Sequence, residues 1–270
     1  MRHTKITTII SFALLVTSNV SGQQTNVNRM DGITEKRIYK EKEIIPYDYV
    51  READVIWEKR IWRVIDVREK INKPFAFEKE PLISILLELL KNEKVQCFGD
   101  DEFKEIKLSA DVLKIGGGDD TVPWMDPVTN EYVKDTIVHN DFDPSKVYRF
   151  RLKEEWFIDK ETSTMQVRIL GIAPLYFDVQ ANLDFPMCWF YYPDLRPEII
   201  HHEIFNPKND MMRLSWEDVF EMRLFSSYIT MESNVYDRTI SSYAPGLDGV
   251  LESERIKNVI FEKEHDLWSF

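Results

Sequence analysis

His201, His202 and Glu203 stand side by side, and imidazole and carboxylate are the groups that bind zinc or pass protons near neutral pH. They are the first candidates for chemistry. Helical zinc motifs separate two histidines by four residues so that both point one way, whereas neighbours on a strand point to opposite faces. His201 and Glu203 could share a face, but that supplies two ligands without a third. An exported metal-dependent enzyme centred on this triplet is therefore carried as the alternative, and no catalytic, cofactor-binding or metal residue is assigned.

Other chemistry-bearing patterns are weaker. Gly116-Gly117-Gly118 lacks the following Lys-Ser/Thr of a phosphate cradle, and Asp119-Asp120 would repel phosphate, so a flexible turn is expected. Asp141 and Asp143 beside Asn140 hint at calcium, yet the remaining acidic ligands of a calcium loop are missing and Pro144 favours a plain turn. No Gly-x-Ser-x-Gly elbow occurs, and no Ser/His/Asp grouping is evident. Cys97 and Cys188 are the two cysteines, compatible either with one disulfide in an oxidising compartment or with two buried small hydrophobes.

Large flat side chains are the stronger signal. Between Phe185 and Tyr228 the chain places Trp189-Phe190-Tyr191-Tyr192, a Pro193-to-Pro197 corner that holds Arg196, and then Trp216 and Phe220. With Trp57 and Trp62 upstream, these residues are candidate anchors of either a packed core or a partner interface, since aromatics dominate both.

The elements that must position them follow from periodicity. Val55, Ile56, Ile61, Trp62, Val64 and Ile65 recur at helical spacing and predict a long amphipathic helix within Arg51 to Ile71. A second helix is expected from Pro81 to Lys91, and a short strand over Val95 to Phe98. Asp100 to Asn140 reads as loop with short regular pieces. Tyr148, Phe150, Leu152, Trp156 and Ile158 alternate with charged residues, and Met165, Val167 and Ile169 continue that face after a turn at Asp159 to Ser163. They predict an antiparallel hairpin. Strands are expected at Cys188 to Tyr192 and Glu198 to Phe205, separated by the Pro193/Pro197 break. Ser215, with Asp218 three residues on, should cap a helix whose apolar side runs from Trp216 to Tyr228. A last helix is expected over Glu252 to His265, with Ile256, Val259 and Ile260 on one face. The fold class is α+β, an antiparallel sheet with a central hairpin packed by several amphipathic helices.

Residues 1–22 read as a cleavable signal peptide: Arg2, His3 and Lys5 precede the short apolar run Ile9 to Val16, and Val20-Ser21-Gly22 suits cleavage after Gly22. Residues 23–46 read as a flexible arm, and 47–270 as one domain. No segment approaches about 18 uninterrupted apolar residues, and no cysteine stands at the cleavage site to take a lipid, so export without a membrane span or anchor is expected. The formal charge of −12 argues against nucleic acid and anionic membrane surfaces as partners.

The run from Asp54 through Asp66 to Pro74-Phe75, the string Tyr192-Pro193-Asp194-Leu195-Arg196-Pro197, and Asp248 to Ile256 together resemble the GldN family of gliding-motility proteins, called PorN in non-gliding relatives. The likeness covers the chain from about Arg51 to its C-terminus. It implies a non-enzymatic periplasmic component of the type IX secretion machinery of Bacteroidetes. Such a subunit builds a ring complex with an outer-membrane lipoprotein of the GldK/PorK type, through homo-oligomeric contacts and with other type IX components as further partners. It also implies peripheral association with the outer membrane through that partner, and it transfers no catalytic residue. A periplasmic chaperone for secreted cargo would use aromatics in the same way and is a further alternative.

Overall fold

Val55–Asp66 is a 12-residue strand, β1, where its apolar spacing predicts a helix. The segment is rich in β-branched and aromatic residues, which fit a pleated surface better than a helix. Ile61, Trp62, Val64 and Ile65 are all buried, so both faces of the strand are covered at this end. A doubly buried strand puts apolar residues on adjacent positions, and the resulting gaps of three and four imitate a helical stripe. Short 3-10 turns at Glu52–Asp54 and Lys70–Ala76 flank it.

The computed structural model describes residues 41–267 apart from 116–117, 126–131, 141, 179–182, 208 and 210. The expected signal peptide, residues 23–40 of the expected arm, Gly116, Gly117 and Asp141 lie outside the described residues. After β1 come α1 (Leu82–Lys91), β2 (Cys97–Phe98), β3 (Ile106–Lys107), α2 (Ser109–Lys114), β4 (Gly118–Met125) and β5 (Tyr132–Asn140). The hairpin β6 (Arg149–Asp159) and β7 (Thr164–Asp178) follows, with β8 (Leu183–Pro186), β9 (Trp189–Tyr191) and α3 (Tyr192–Ile199). The chain continues as β10 (Glu203–Ile204), β11 (Leu214–Ser215), α4 (Trp216–Glu221), β12 (Tyr228–Glu232), α5 (Ile240–Tyr243) and α6 (Leu247–Asp266).

Among the described residues the main sheet has eight antiparallel strands in the order β12-β1-β6-β7-β9-β2-β3, with β8 also on β7. The expected hairpin is at its centre, and the fold is α+β. β4 and β5 pair separately as a hairpin more regular than the loop expected there. α1 forms where Pro81 and the leucine stripe predict it, burying Leu82, Ile83, Ile85, Leu86, Leu89 and Leu90. The proline corner, by contrast, is a helix. In α3, Pro193 occupies the first turn, where no amide bond is needed, and Pro197 forfeits one. Burial of Tyr192, Leu195, Arg196 and Ile199, spaced three, four and seven apart, holds the helix, and the strand expected over Glu198 to Phe205 shrinks to β10.

Ser215 and Asp218 do form a capping box, yet α4 ends at Glu221 instead of reaching Tyr228, which opens β12. Arg223 takes a left-handed φ of 55°, with its N–H on Phe220 O (3.2 Å) and that of Leu224 on Val219 O (2.9 Å). This pair of bonds closes the helix as a Schellman turn. In α6, Ile256 and Ile260 are buried as expected, whereas Val259 is exposed.

One sheet face carries two apolar clusters. Ile65, Phe150, Leu152, Ile172 and Phe190 pack under α1, α3 and α4. Ile61, Ile229, Ile240, Ile256 and Ile260 pack under α5 and α6, with Trp57 and Trp156 beside them. Between the two lies a charge. Glu154 is 0% exposed, 2.8 Å from Arg63 Nε, and accepts hydrogen bonds from Arg223 Nη2 (2.8 Å) and Trp156 Nε1 (3.0 Å). Both guanidinium groups also lie over the Trp156 ring, at 5.6 and 5.3 Å. Burial pushes the Arg63 guanidinium below its usual range, and Glu154 opposes that shift. Removing the carboxylate leaves two buried or half-buried cations uncompensated, so Glu154→Ala should lower unfolding free energy by about 3–5 kcal/mol. Urea titration checks this; a loss under about 1 kcal/mol would be the cost of an ordinary surface pair.

At the end of β1, Asp66 accepts bonds from Arg68 N (3.0 Å), Arg68 Nη2 (2.6 Å) and Arg149 Nε (3.1 Å). The Arg68 side-chain bond, ahead of the backbone and Arg149 bonds, draws its carboxyl down to about 2. A depressed carboxylate contributes stability fully above its unfolded pKa, roughly 4, and loses that contribution as pH falls through the folded value. Asp66→Asn should therefore be less stable than the parent at pH 6, with the gap closing between roughly pH 4 and 2; a gap independent of pH in acid titrations of both chains would assign the loss to packing.

Candidate functional site

The other face of the sheet is an open groove of about 980 Å³, and none of the described residues lining it is helical. One row across the strands builds its floor: Met231 pairs with Trp62, Trp62 with Lys153, Lys153 with Gly171, and Gly171 with Tyr191. Two register shifts fall at this row, leaving Thr230 on β12 and Leu170 on β7 outside the regular pairing. Both residues line the groove.

The loop from Gly99 to Glu105 folds over one end. Asp100 accepts the Lys104 (3.1 Å) and Glu105 (2.9 Å) amides, and Gly99 N–H bonds to Glu105 O at 2.8 Å. Asp101 Oδ2 accepts the Trp62 indole N–H at 2.9 Å, and the Lys153 ammonium bonds to Asp101 O while lying 5.5 Å from the Trp62 ring. Phe103, at φ 59°, sets its ring edge-on to Tyr191 (5.1 Å) and Phe98 (5.7 Å).

Alternation sorts the aromatic run. Trp189 and Tyr191 face the groove, the first 3% exposed in a cluster with Trp62 and Ala173, while Phe190 enters the helix-covered core. Tyr192 begins α3 and is fully buried with Trp216 and Phe220. Trp57 is half-buried against the α5 and α6 cluster. Arg196 is buried between α3 and α4: its Nη2 donates to Glu217 Oε1 at 2.7 Å and to Ile45 O at 3.2 Å, and its guanidinium stacks 4.1 Å from the Tyr47 ring. Tyr47 also donates to Glu221, and Lys42 pairs with Asp218. Thus residues 42–47, where the expected arm meets the domain, lie across α3 and α4. Burial, then the Glu221 bond, holds the Tyr47 hydroxyl well above its ordinary range.

His201 and His202 occupy the turn after α3 and not a strand, so strand alternation does not govern them. His202 Nδ1 lies 2.7 Å from Glu80 Oε1, and Glu203 in β10 lies 3.8 Å from Arg213. Among the described residues no group of three or more His, Cys, Asp or Glu is arranged to hold a metal ion. Cys97 and Cys188 are free thiols buried in the core on β2 and just before β9. Sequence reasoning missed the Glu154, Asp66 and Asn72 nodes. Asn72, 0% exposed, bonds to Asp66 O (2.8 Å) and to both the carbonyl and amide of Ser226 (2.9 Å each). A charged residue inside an apolar alternation, as at Glu154, is the one signal that could have found such a node.

Gly171 has a close-approach reason to be glycine: a Cβ there would meet Phe103 Cζ at 2.6 Å and Phe190 O at 3.2 Å. Gly171→Val should push Phe103 off the floor and loosen the Gly99 to Glu105 loop, read as faster tryptic cleavage after Lys104 in the folded protein. Unchanged cleavage would mean that the ring rotates in place and the loop holds without it.

No curated protein matches the chain. Residues 50–269 match the family described as "Gliding motility associated protein GldN", a span that holds every strand of the sheet, both faces and the groove. The chain belongs to the GldN family, a component of the gliding-motility and type IX secretion machinery.

Proposed function

We propose that the protein is a non-enzymatic structural subunit of that machinery in the periplasm, exported by a signal peptide cleaved after Gly22. It forms a ring complex with an outer-membrane lipoprotein of the GldK/PorK type and is held at the outer membrane by that partner. The family match over residues 50–269 carries the reading. Two features support it. No helix among the described residues is long and apolar enough to cross a membrane, which agrees with attachment through a partner. The ionisable groups that stand out in the fold are each paired across elements, Glu154 with Arg63, Asp66 with Arg149 and Arg196 with Glu217, as struts. That arrangement suits a rigid building block, whose rim charges set association rate and specificity.

Co-expression of the mature chain with the soluble ectodomain of the lipoprotein tests the reading. The two should co-elute as a stable complex holding several copies of each, measured by size-exclusion chromatography with light scattering. A chain that stays monomeric beside the ectodomain counts against the subunit, and short-lived capture of secreted cargo in its place marks a chaperone.

A further inference from the structure

Among the described residues four cations line the groove on the helix-free face, and three are engaged: Arg60 with Glu155, Lys104 with Glu102, and Lys153 with Asp101. Arg151 is not. It stands on β6 between Val64 and the small Ala173, and its Nε is shut from solvent with no hydrogen-bond partner. Burial pushes its guanidinium below the usual arginine range, against the pull of Asp101 and Asp184. That N–H lies out of a ligand's reach, and an acceptor in the groove meets the guanidinium at its Nη groups, which carry no hydrogen bond or ion pair to the described residues. The planar fork of a guanidinium matches a carboxylate in particular.

The acids of the lining are largely spoken for. Asp101 holds the Trp62 indole, Asp100 caps its loop, and Glu102 and Glu155 are paired. Asp237 sits on an exposed loop at the rim, where water and salt screen it. The lining also holds the buried rings of Trp62 and Trp189 and the half-buried rings of Phe103 and Tyr191. The volume of about 980 Å³ is at the upper end for small-molecule pockets, roughly 300–1,000 Å³, and the groove is open to solvent. Those proportions suit a stretch of extended chain.

We propose that this groove docks an extended segment of a partner protein that presents a Glu or Asp carboxylate to Arg151 and lays an apolar side chain against the half-buried rings of Phe103 and Tyr191. The inference deepens the assembly reading and rests on it for the partner being a protein. Its first test is independent of that partner. Arginine Nε–H spectra of the ¹⁵N-labelled mature chain are followed during titration with N-acetyl-glutamate N-methylamide, its glutaminyl analogue and inorganic phosphate, at constant ionic strength. The resonance lost in Arg151→Lys identifies Arg151. It should shift saturably with the glutamyl probe and stay in place with the glutaminyl one. No saturable shift, an equal shift with the glutaminyl analogue, or a stronger response to phosphate would overturn the proposal. In co-assembly with the lipoprotein ectodomain, Arg151→Gln should weaken association at least roughly tenfold, with Arg151→Lys intermediate. Wild-type affinity in a folded Arg151→Gln would also overturn it, whereas failure of the parent chain to associate would sink the ring reading and leave the carboxylate titration to decide the groove.

Discussion

A single carboxylate buried at the centre of the sheet sets the terms for much of this molecule. Glu154 lies between Leu152 and Trp156 on β6, and Arg63 between Ile61 and Ile65 on β1, so both point to the same apolar face. A lone charge there would be prohibitive; Arg63 neutralises it from the neighbouring strand, and Arg223, arriving from the turn after α4, satisfies the second carboxylate oxygen. The same residue marks the end of α4. The left-handed residue that closes the helix is an arginine whose guanidinium reaches the sheet, although glycine would fit the backbone more cheaply. The node also divides the face into the two clusters on which the helices sit.

With one face committed to helices, the opposite face is left to the loops. Phe103 closes down onto it because Gly171 offers no side chain, and two register shifts fall at the same row. The aromatic run between β9 and α3 serves both sides at once: alternate residues go to floor and core, and the next begins a helix. Groove floor and core are thus both supplied by this one strand, with neighbouring residues.

Residues whose types suggest chemistry turn out to fasten elements together. His202 meets Glu80, Arg196 joins α3 to α4 and to the backbone at Ile45, and the Cys97 thiol on β2 bonds to Lys107 O on β3 (3.2 Å). In a component of the secretion and gliding machinery, such fastening ties distant elements into one piece.

The residues alone determined a good deal. Alternation at Tyr148 to Ile169 specified the central hairpin, Pro81 and the leucine stripe specified α1, and Ser215 with Asp218 specified the start of α4, because each is a signal carried by neighbours within a few positions. The strings that resemble the GldN family were equally legible. Tertiary structure decided what local signals leave ambiguous. β1 is a strand because β6 and β12 flank it and both of its faces are covered, and α3 is a helix despite two prolines because its buried stripe outweighs a lost amide bond. The groove, the Glu154 node and the unpaired Arg151 were invisible for the same reason: each depends on residues tens to more than a hundred positions apart, whose proximity is fixed only when the strands pair.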